Sequence, residues 1–264
     1  MNQNTEVWVF LRGLVRESGH WGDFLQQFEK AIPGTKAIAI DLPGAGKRFS
    51  EKSPWKLSDY VRSVRADFEQ LGFKGRPVHL FALSLGGMVA LEWMRLYPAE
   101  IQRAVLVNTS LKGVNPFFRR LSPGAYWTVL RAFFDGSAHA REQRILRLTS
   151  AVDEWPKEEL DRRDRLQADH PVTKSNAVRQ ILAATSTTEA GVRPVQPVLL
   201  LNSLGDRLVH PDCSRQIAER WKAPLRRHAW AGHDLPLDDP QWTLDAVAQW
   251  LSSSNPDGKL EKTK

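Results

Sequence analysis

One stretch, PVHLFALSLGGMVALEWM (residues 77–94), decides the fold of this chain. It begins with an apolar run at 78–81, continues through a short turn that contains Ser84, and then carries small and apolar residues at helical spacing over 87–94. This pattern predicts a buried strand, a sharp turn and a helix that packs closely against the strand. A serine on such a turn is exposed for chemistry.

The turn nearly matches the pattern G-x-S-x-G, in which a strained turn lifts a serine above a parallel sheet and directs the next backbone N–H at a reacting carbonyl. Ala82 stands in place of the first glycine, and one methyl group is a tolerable change where the helix crosses the strand. Ser84 is therefore our candidate nucleophile. The alternative is a small polar residue that only fills a tight turn.

Length and composition set the limits of the fold. With 264 residues, 42% hydrophobic and 25% charged, the chain is long enough for one substantial α/β domain with an insertion. Residues 1–6 are polar and no run of about 18 apolar residues occurs, so neither a secretory signal nor a membrane span is expected. A single cysteine, Cys213, fits a reducing compartment and excludes a structural zinc site built from cysteines. We expect a cytoplasmic protein with no membrane partner.

The formal net charge of +7 raises the possibility of a nucleic-acid partner. The basic residues are not clustered, because residues 111–192 hold 13 Lys and Arg against 10 Asp and Glu, spread over several predicted helices. Opposite charges three or four residues apart are common on exposed helices. We therefore expect a solvated surface and no nucleic-acid partner.

Apolar runs and helical patterns alternate along most of the chain. Predicted strands lie at 6–11, 37–40, 78–81, 104–107, 198–202 and 225–230, and predicted helices at 18–31, 57–71, 87–94, 213–221 and 242–251. This alternation predicts right-handed crossovers and a mostly parallel central sheet flanked by helices.

The alternation stops between residues 111 and 194, where only helical patterns occur, at 126–134, 141–152, 158–167 and 176–184. We predict a helical cap of residues 111–194, inserted into one discontinuous core of residues 1–110 and 195–251, with a flexible tail at 252–264. The cap aromatics Phe117, Tyr126 and Trp127 either wall an acyl pocket or form the cap's own core.

Two later loops complete a possible catalytic set. Asp206 and His233 each follow a predicted strand, so that Ser84, Asp206 and His233 meet at the carboxyl ends of the strands. Serine needs a neighbouring base, and histidine needs an acid that fixes its tautomer. The alternative for Asp206 is a turn-forming aspartate, and six other histidines compete with His233 but lack its late loop between a glycine and a helix. Backbone N–H groups of Leu14 and Leu85 are the expected oxyanion hole.

These motifs resemble the α/β-hydrolase superfamily, in particular small capped esterases similar to the pimeloyl-carrier-protein methyl ester esterases. The resemblance spans residues 6–251 and rests on the loop LRGL at 11–14 with Trp21 further on, DLPGAG at 41–46, the serine turn, Gly205-Asp206 and GHDLP at 232–236. It implies an α/β-hydrolase fold with the cap inserted after the strand at 104–107. One departure is Arg12, where the superfamily commonly has histidine. Arg12 either organises the oxyanion loop or meets an acidic substrate group, and Trp21 is a further possible substrate contact.

The resemblance implies a serine hydrolase that cleaves carboxylic esters of small or medium acyl groups through an acyl-enzyme on Ser84. It implies no cofactor and no metal, a small-molecule ester as partner, and a monomer or homodimer. A thioesterase, a lactonase or an acyltransferase with the same three residues is an alternative, because this fold hosts all of them. From another class, a non-catalytic ligand-binding module on the same fold remains open.

Overall fold

The structure is a computed structural model, and it describes residues 5–134, 137–185 and 192–253. Its centre is a six-stranded sheet in the order β2-β1-β3-β4-β5-β6, in which every neighbouring pair is parallel. The predicted α/β fold with a mostly parallel sheet is confirmed. The strands are β1 (Glu6–Leu11), β2 (Thr35–Ala39), β3 (Val78–Leu83), β4 (Ile101–Val107), β5 (Val198–Ser203) and β6 (Leu225–His228).

Helices cover both faces of the sheet, which explains why the central strands are apolar throughout. In β1 the side chains alternate between two separate cores, with Val7 and Val9 on one face and Trp8 and Phe10 on the other. The helices that flank the sheet are α1 (Phe24–Ala31), α2 (Leu57–Phe68), α3 (Leu85–Leu96), α9 (Asp212–Trp221), the short α10 (Leu235–Asp238) and α11 (Pro240–Ser253).

The described residues between β4 and β5 contain helices and loops, as the sequence predicts. Ser137 starts the third of these helices, because its side-chain oxygen accepts a hydrogen bond from the N–H of Ala140 at 3.1 Å. The division into core and cap stays a prediction, and we keep the name cap for residues 111–194. The cap helices are α4 (Phe117–Arg120), α5 (Pro123–Phe134), α6 (Ala138–Thr149), α7 (Lys157–Asp169) and α8 (Lys174–Thr185).

Several element boundaries differ from the sequence prediction. The helix predicted at 141–152 ends at Thr149, because Ser150 is already extended. The last helix begins at Pro240, where the side chain of Asp239 accepts the N–H of Trp242 at 3.0 Å, and it continues to Ser253, past the predicted start of the tail. Residues 1–4 and 254–264, including most of that tail, lie outside the described residues. Within the described ranges, no helix is long and apolar enough to cross a membrane.

The turn between β3 and α3 lies directly against the end of β1. A Cβ atom on Gly86 would stand 2.5 Å from the carbonyl oxygen of Leu11 and 2.7 Å from that of Arg12. The next residue, Gly87, is as tightly placed, since its Cβ would lie 2.8 Å from Oγ1 of Thr109. Gly86 therefore packs against backbone and Gly87 against a side chain, and both positions require glycine for space.

This packing makes a prediction about stability. Gly86→Ala should lower the free energy of unfolding by about 2 kcal/mol or more, because the added methyl group meets two carbonyl oxygens that cannot move independently of the sheet. Gly124→Ala is the matched control, since nothing lies within 4 Å of its Cβ position in the first turn of α5. Urea denaturation of both variants checks the difference, and equal stability would contradict the close approach.

Candidate active site

Ser84 occupies the turn between β3 and α3 in a conformation that few non-glycine residues adopt. Its φ is 57° and its ψ is −116°, which is the strained geometry typical of a serine raised on a strand-to-helix turn. The residue is held on both sides, because its N–H donates to the carbonyl of Val107 at 2.9 Å and its carbonyl accepts the hydroxyl of Thr109 at 2.9 Å. The sheet and α3 thus fix the backbone that carries the hydroxyl.

His233 and Asp206 form a buried hydrogen-bonded pair. Nδ1 of His233 lies 2.7 Å from Oδ2 of Asp206, and both side chains are buried. The other carboxylate oxygen accepts the backbone N–H groups of Leu208 and Val209 at 2.8 and 2.9 Å. Because a carboxylate only accepts, the neutral imidazole carries its proton on Nδ1 and leaves Nε2 free to take another.

Asn108 connects the histidine loop, residues 229–234 between β6 and α10, to the sheet. It follows β4 at a φ of 46°, which is uncommon outside glycine, although asparagine is among the residues that tolerate it best. Its amide nitrogen donates to the carbonyl of His233 at 2.9 Å and to Oγ of Ser203 at 2.9 Å, and its amide oxygen accepts the N–H of Ser203. A single side chain therefore connects the ends of β4 and β5 with the loop that carries the histidine.

The two predicted oxyanion donors lie on opposite sides of Ser84 in the chain. Leu85 is the first residue of α3, so its N–H has no partner within the helix. Leu14 lies in the loop after β1, and its N–H donates to no acceptor among the described residues. Gly13 makes the approach of this loop possible, because a Cβ there would stand 3.1 Å from Cβ of Ser84.

Arg12 binds Asp234, the residue that follows His233. Its Nη1 and Nη2 donate to the two carboxylate oxygens at 3.0 and 2.6 Å, and both side chains are buried. Trp21 lies beneath the guanidinium, 4.5 Å from its carbon to the ring centroid. Burial alone would raise the pKa of Asp234, but the charges of Arg12 and Arg163 hold that pKa below its usual value. The oxyanion loop and the histidine loop are thus joined by a fully charged pair.

The same charged cluster reaches into the cap. Arg16 donates to Glu142 of α6 at 2.6 Å, and Arg163 of α7 donates to the other oxygen of Glu142 at 3.2 Å. Burial would raise the pKa of Glu142, yet the two arginines lower it. His20 is buried among these arginines, and desolvation together with their charge lowers its pKa well below the usual value, so its ring is neutral.

A cavity of about 130 Å³ lies over Ser84 and His233. An apolar protein cavity of about 150 Å³ binds a molecule the size of benzene, so this cavity suits a small group. Its wall is mostly apolar and comes from the oxyanion loop, the sheet end and four cap segments. The apolar lining residues are Leu14, Val15, Leu83, Val129, Ile145, Leu148, Val172, Ala177, Ile181 and Leu208.

The structure brings some of the predicted site residues together and separates others. The cavity is lined by Ser84, His233, Arg12 and Leu14. Asp206 binds the far side of the His233 ring, and Leu85 follows the serine.

Within the described part of the chain, no three His, Cys, Asp or Glu side chains lie close enough to share a metal ion.

The predicted substrate contacts need correction. Trp21 is packed against Phe10 and Phe81 in the core and contacts Arg12 instead of the cavity. Phe117, Tyr126 and Trp127 are 77%, 42% and 60% exposed, so they neither wall the cavity nor form a core of the cap. The helical period showed an apolar stripe in this region but not which way the stripe faces.

Sequence reasoning missed the cap residues that line the cavity, above all Arg141, Gln167 and Lys174. It also did not identify the partner of Arg12, which is Asp234 in the structure. A signal for this pair was available, since Arg12 and Asp234 are opposite charges in two loops already assigned to the site. Nothing local marked the cap residues.

The fold, the strained serine and the His–Asp pair together define an α/β hydrolase. The model of the alpha/beta hydrolase family matches residues 8–246, and the chain belongs to that family. The predicted carbamate hydrolase RutD of Pantoea ananatis is 24% identical over 97% of this chain and 93% of its own length. The family and its relatives indicate a hydrolase of the α/β-hydrolase type.

Two solved structures have the same fold at low sequence identity. The esterase EaEST from Exiguobacterium antarcticum is 14% identical with a TM-score of 0.74, covering 94% of this chain and 92% of its own. The enol-lactonase from Burkholderia xenovorans LB400 is 17% identical with a TM-score of 0.75, covering 94% of this chain and 92% of its own.

The buried pair makes a prediction about stability at neutral pH. Arg12→Leu should lower the free energy of unfolding by about 3–5 kcal/mol, because it leaves the Asp234 carboxylate buried without its partner. Arg62→Leu is the control, since Arg62 pairs with Asp59 at the surface with 62% of its side chain exposed, and its loss should cost at most about 1 kcal/mol. The double variant Arg12→Leu/Asp234→Leu should lose less than the sum of its single variants. Similar losses for Arg12→Leu and Arg62→Leu would contradict this account.

The same variant should respond to pH in a defined direction. In the wild type the pKa of Asp234 is lowered, so its stabilising contribution is present above the unfolded pKa of about 3.9 and is lost as the pH falls through the folded value. In Arg12→Leu the main charge that lowers this pKa is gone, and burial raises it. The folded variant then binds a proton that the unfolded chain releases, so its deficit relative to the wild type should be smaller at pH 5 than at pH 8. Denaturation series at both values check this, and a deficit that is independent of pH would contradict it.

Proposed function

We propose that this protein hydrolyses carboxylic esters of small or medium acyl groups through an acyl-enzyme on Ser84. The observation that carries the proposal is the 2.7 Å contact between Nδ1 of His233 and Asp206, next to a cavity that Ser84 and His233 both line. A serine on a strained turn beside a histidine oriented by an acid is the arrangement that acyl transfer requires. The volume of the cavity favours an acyl group of modest size.

In the proposed reaction, Oγ of Ser84 attacks the ester carbonyl carbon while Nε2 of His233 takes the hydroxyl proton. Asp206 stabilises the imidazolium that results. The tetrahedral intermediate collapses as the C–O bond to the alcohol breaks, and His233 gives its proton to that alcohol. His233 then takes a proton from water, whose oxygen attacks the acyl carbon and releases the acid and free Ser84.

Charge develops on the former carbonyl oxygen in both steps. The N–H of Leu85 and the N–H of Leu14 are the proposed donors to this oxyanion, because both are without a helical or loop acceptor and flank Ser84. Removing one such donor typically lowers the rate by about 10²–10³. The tie between Arg12 and Asp234 supports this geometry, since it joins the loop of Leu14 to the loop of His233.

Related acyl chemistry uses the same three residues. Thioester hydrolysis, lactone hydrolysis and acyl transfer differ in the leaving group or the acceptor, and the enol-lactonase named above has this fold. Comparing kcat/KM for p-nitrophenyl esters, acyl thioesters and lactones ranks these reactions. A ligand-binding module would instead retain ligand without product. The cytoplasmic location and the monomeric or homodimeric state also remain proposals.

Labelling with a fluorophosphonate probe tests the nucleophile. The wild type should be labelled, and Ser84→Ala should lose labelling and at least about 10³-fold in kcat, because no other oxygen takes the position of the serine hydroxyl. Ser214→Ala is the control, since Ser214 is buried in α9, away from the cavity. Equal labelling of Ser84→Ala and the wild type would reject the assignment.

Two further variants test the supporting residues. Asp206→Asn and His233→Ala should remain folded by circular dichroism and lose turnover. Normal turnover in either variant would reject the role of that residue.

A further inference from the structure

The cavity over Ser84 carries positive charge that the catalytic steps do not use. Its lining includes the cationic residues Arg12, Arg16, Arg141 and Lys174, and Asp234 is its one acidic residue among the described residues. The charges of two of these cations, the inner arginines Arg12 and Arg16, are balanced by acidic partners. Arg12 is bound to Asp234, and Arg16 is bound to Glu142, so neither guanidinium adds uncompensated charge to the cavity.

Arg141 is different from the two inner arginines. It lies in the first turn of α6 and is partly buried, and its guanidinium has no acidic partner in the described ranges. Its neighbour in the chain, Glu142, is already shared by Arg16 and Arg163. Lys174, the first residue of α8, lines the same cavity. The cap therefore contributes an arginine to the cavity wall, and none of its described acidic residues lines the cavity to balance that charge.

A second polar side chain in the wall of the same cavity also points to a ligand. Gln167 in α7 is only 6% exposed, lines the cavity, and makes no hydrogen bond with its amide to any described residue. A buried amide that makes no hydrogen bond costs free energy unless a ligand or water satisfies it. Most of the other cap residues that line the cavity are apolar, with Thr128, Thr149, Arg141 and Lys174 as the exceptions. In largely apolar surroundings a charged hydrogen bond is stronger than in water.

We propose that the substrate is an ester that also carries a carboxylate, and that Arg141 binds this carboxylate with help from the amide of Gln167. This inference rests on the proposed ester hydrolysis and specifies its substrate class. In a small ester, which the volume of the cavity favours, the carboxylate lies a few bonds from the reacting carbonyl. Arg141 acts in substrate specificity and takes no part in the bond-breaking steps.

Matched substrates test the charge requirement. Monomethyl glutarate and methyl glutaramate have the same number of non-hydrogen atoms and differ in a carboxylate against a neutral amide. The isomer 4-acetoxybutanoate and its amide place the same groups on the alcohol side of the ester. We expect kcat/KM to be at least about tenfold higher for the acid than for the amide in one of these pairs, mainly through KM. The pair that shows the preference identifies the side of the ester that faces Arg141.

Arg141→Gln should lower that ratio by about tenfold, because it removes the charge that distinguishes the acid from the amide. Arg147→Gln is the matched control, because it removes the same charge from an exposed position of the same helix outside the cavity, and it should keep the ratio. Raising the ionic strength should raise KM for the acid and leave KM for the amide unchanged, since exposed parts of the interaction are screened.

Calorimetry on Ser84→Ala separates this inference from the proposed function. The unreactive variant should bind monomethyl glutarate or 4-acetoxybutanoate more tightly than the corresponding amide, and adding Arg141→Gln should remove the difference. Carboxylate preference in binding without turnover in the wild type would reject the ester hydrolysis but keep the anion site. The inference would be overturned if kcat/KM were the same for acid and amide in both pairs. It would also be overturned if Arg141→Gln and Arg147→Gln changed the acid-to-amide ratio equally.

Discussion

The buried pair of Arg12 and Asp234 is the interaction on which the site depends. It joins two loops that are 222 residues apart in the chain, one after β1 and one before α10. Taking both charges out of water costs several kcal/mol for each ion, and two charged hydrogen bonds, at 3.0 and 2.6 Å, offset that cost. The gain is positional, because an apolar pair of equal size would lack the directional bonds that fix one loop against the other.

The pair is also the innermost part of a longer charged cluster. Arg163 lies between Glu142 and Glu159 and approaches Asp234 at 4.0 Å, so α6 and α7 are tied to the same two loops. Asp238 adds to the contacts between the cap and the histidine loop. Its carboxylate accepts the hydroxyl of Ser150 at 2.6 Å and the N–H of Gly232 at 2.7 Å. The cap segments that bound the cavity are therefore positioned by the same polar contacts that hold the histidine loop.

The features that the sequence predicts are those whose pattern is local in the chain or follows from the topology of the sheet. The strand–turn–helix around Ser84 is a local pattern, so the sequence predicts it almost to the residue. Asp206 and His233 follow strands that share a sheet edge, so topology alone brings them close. The Arg12–Asp234 pair and the exposed position of Trp127 depend on how distant segments dock, and no local period encodes that. Arg141 belongs with these, because an arginine on a polar helix face looks like any solvated residue until the helix is placed.

The position of the cap in the chain has a consequence for how the fold accommodates variation. Strands β4 and β5 are direct neighbours in the sheet, although residues 108–197 separate them. The entropy of closing such a loop grows only with the logarithm of its length, so doubling the insertion would cost about 0.6 kcal/mol. A fold of this kind can exchange one cap for another in the course of evolution while its sheet hardly changes. New substrates are then reached by replacing the insertion and keeping the strands that carry the catalytic loops.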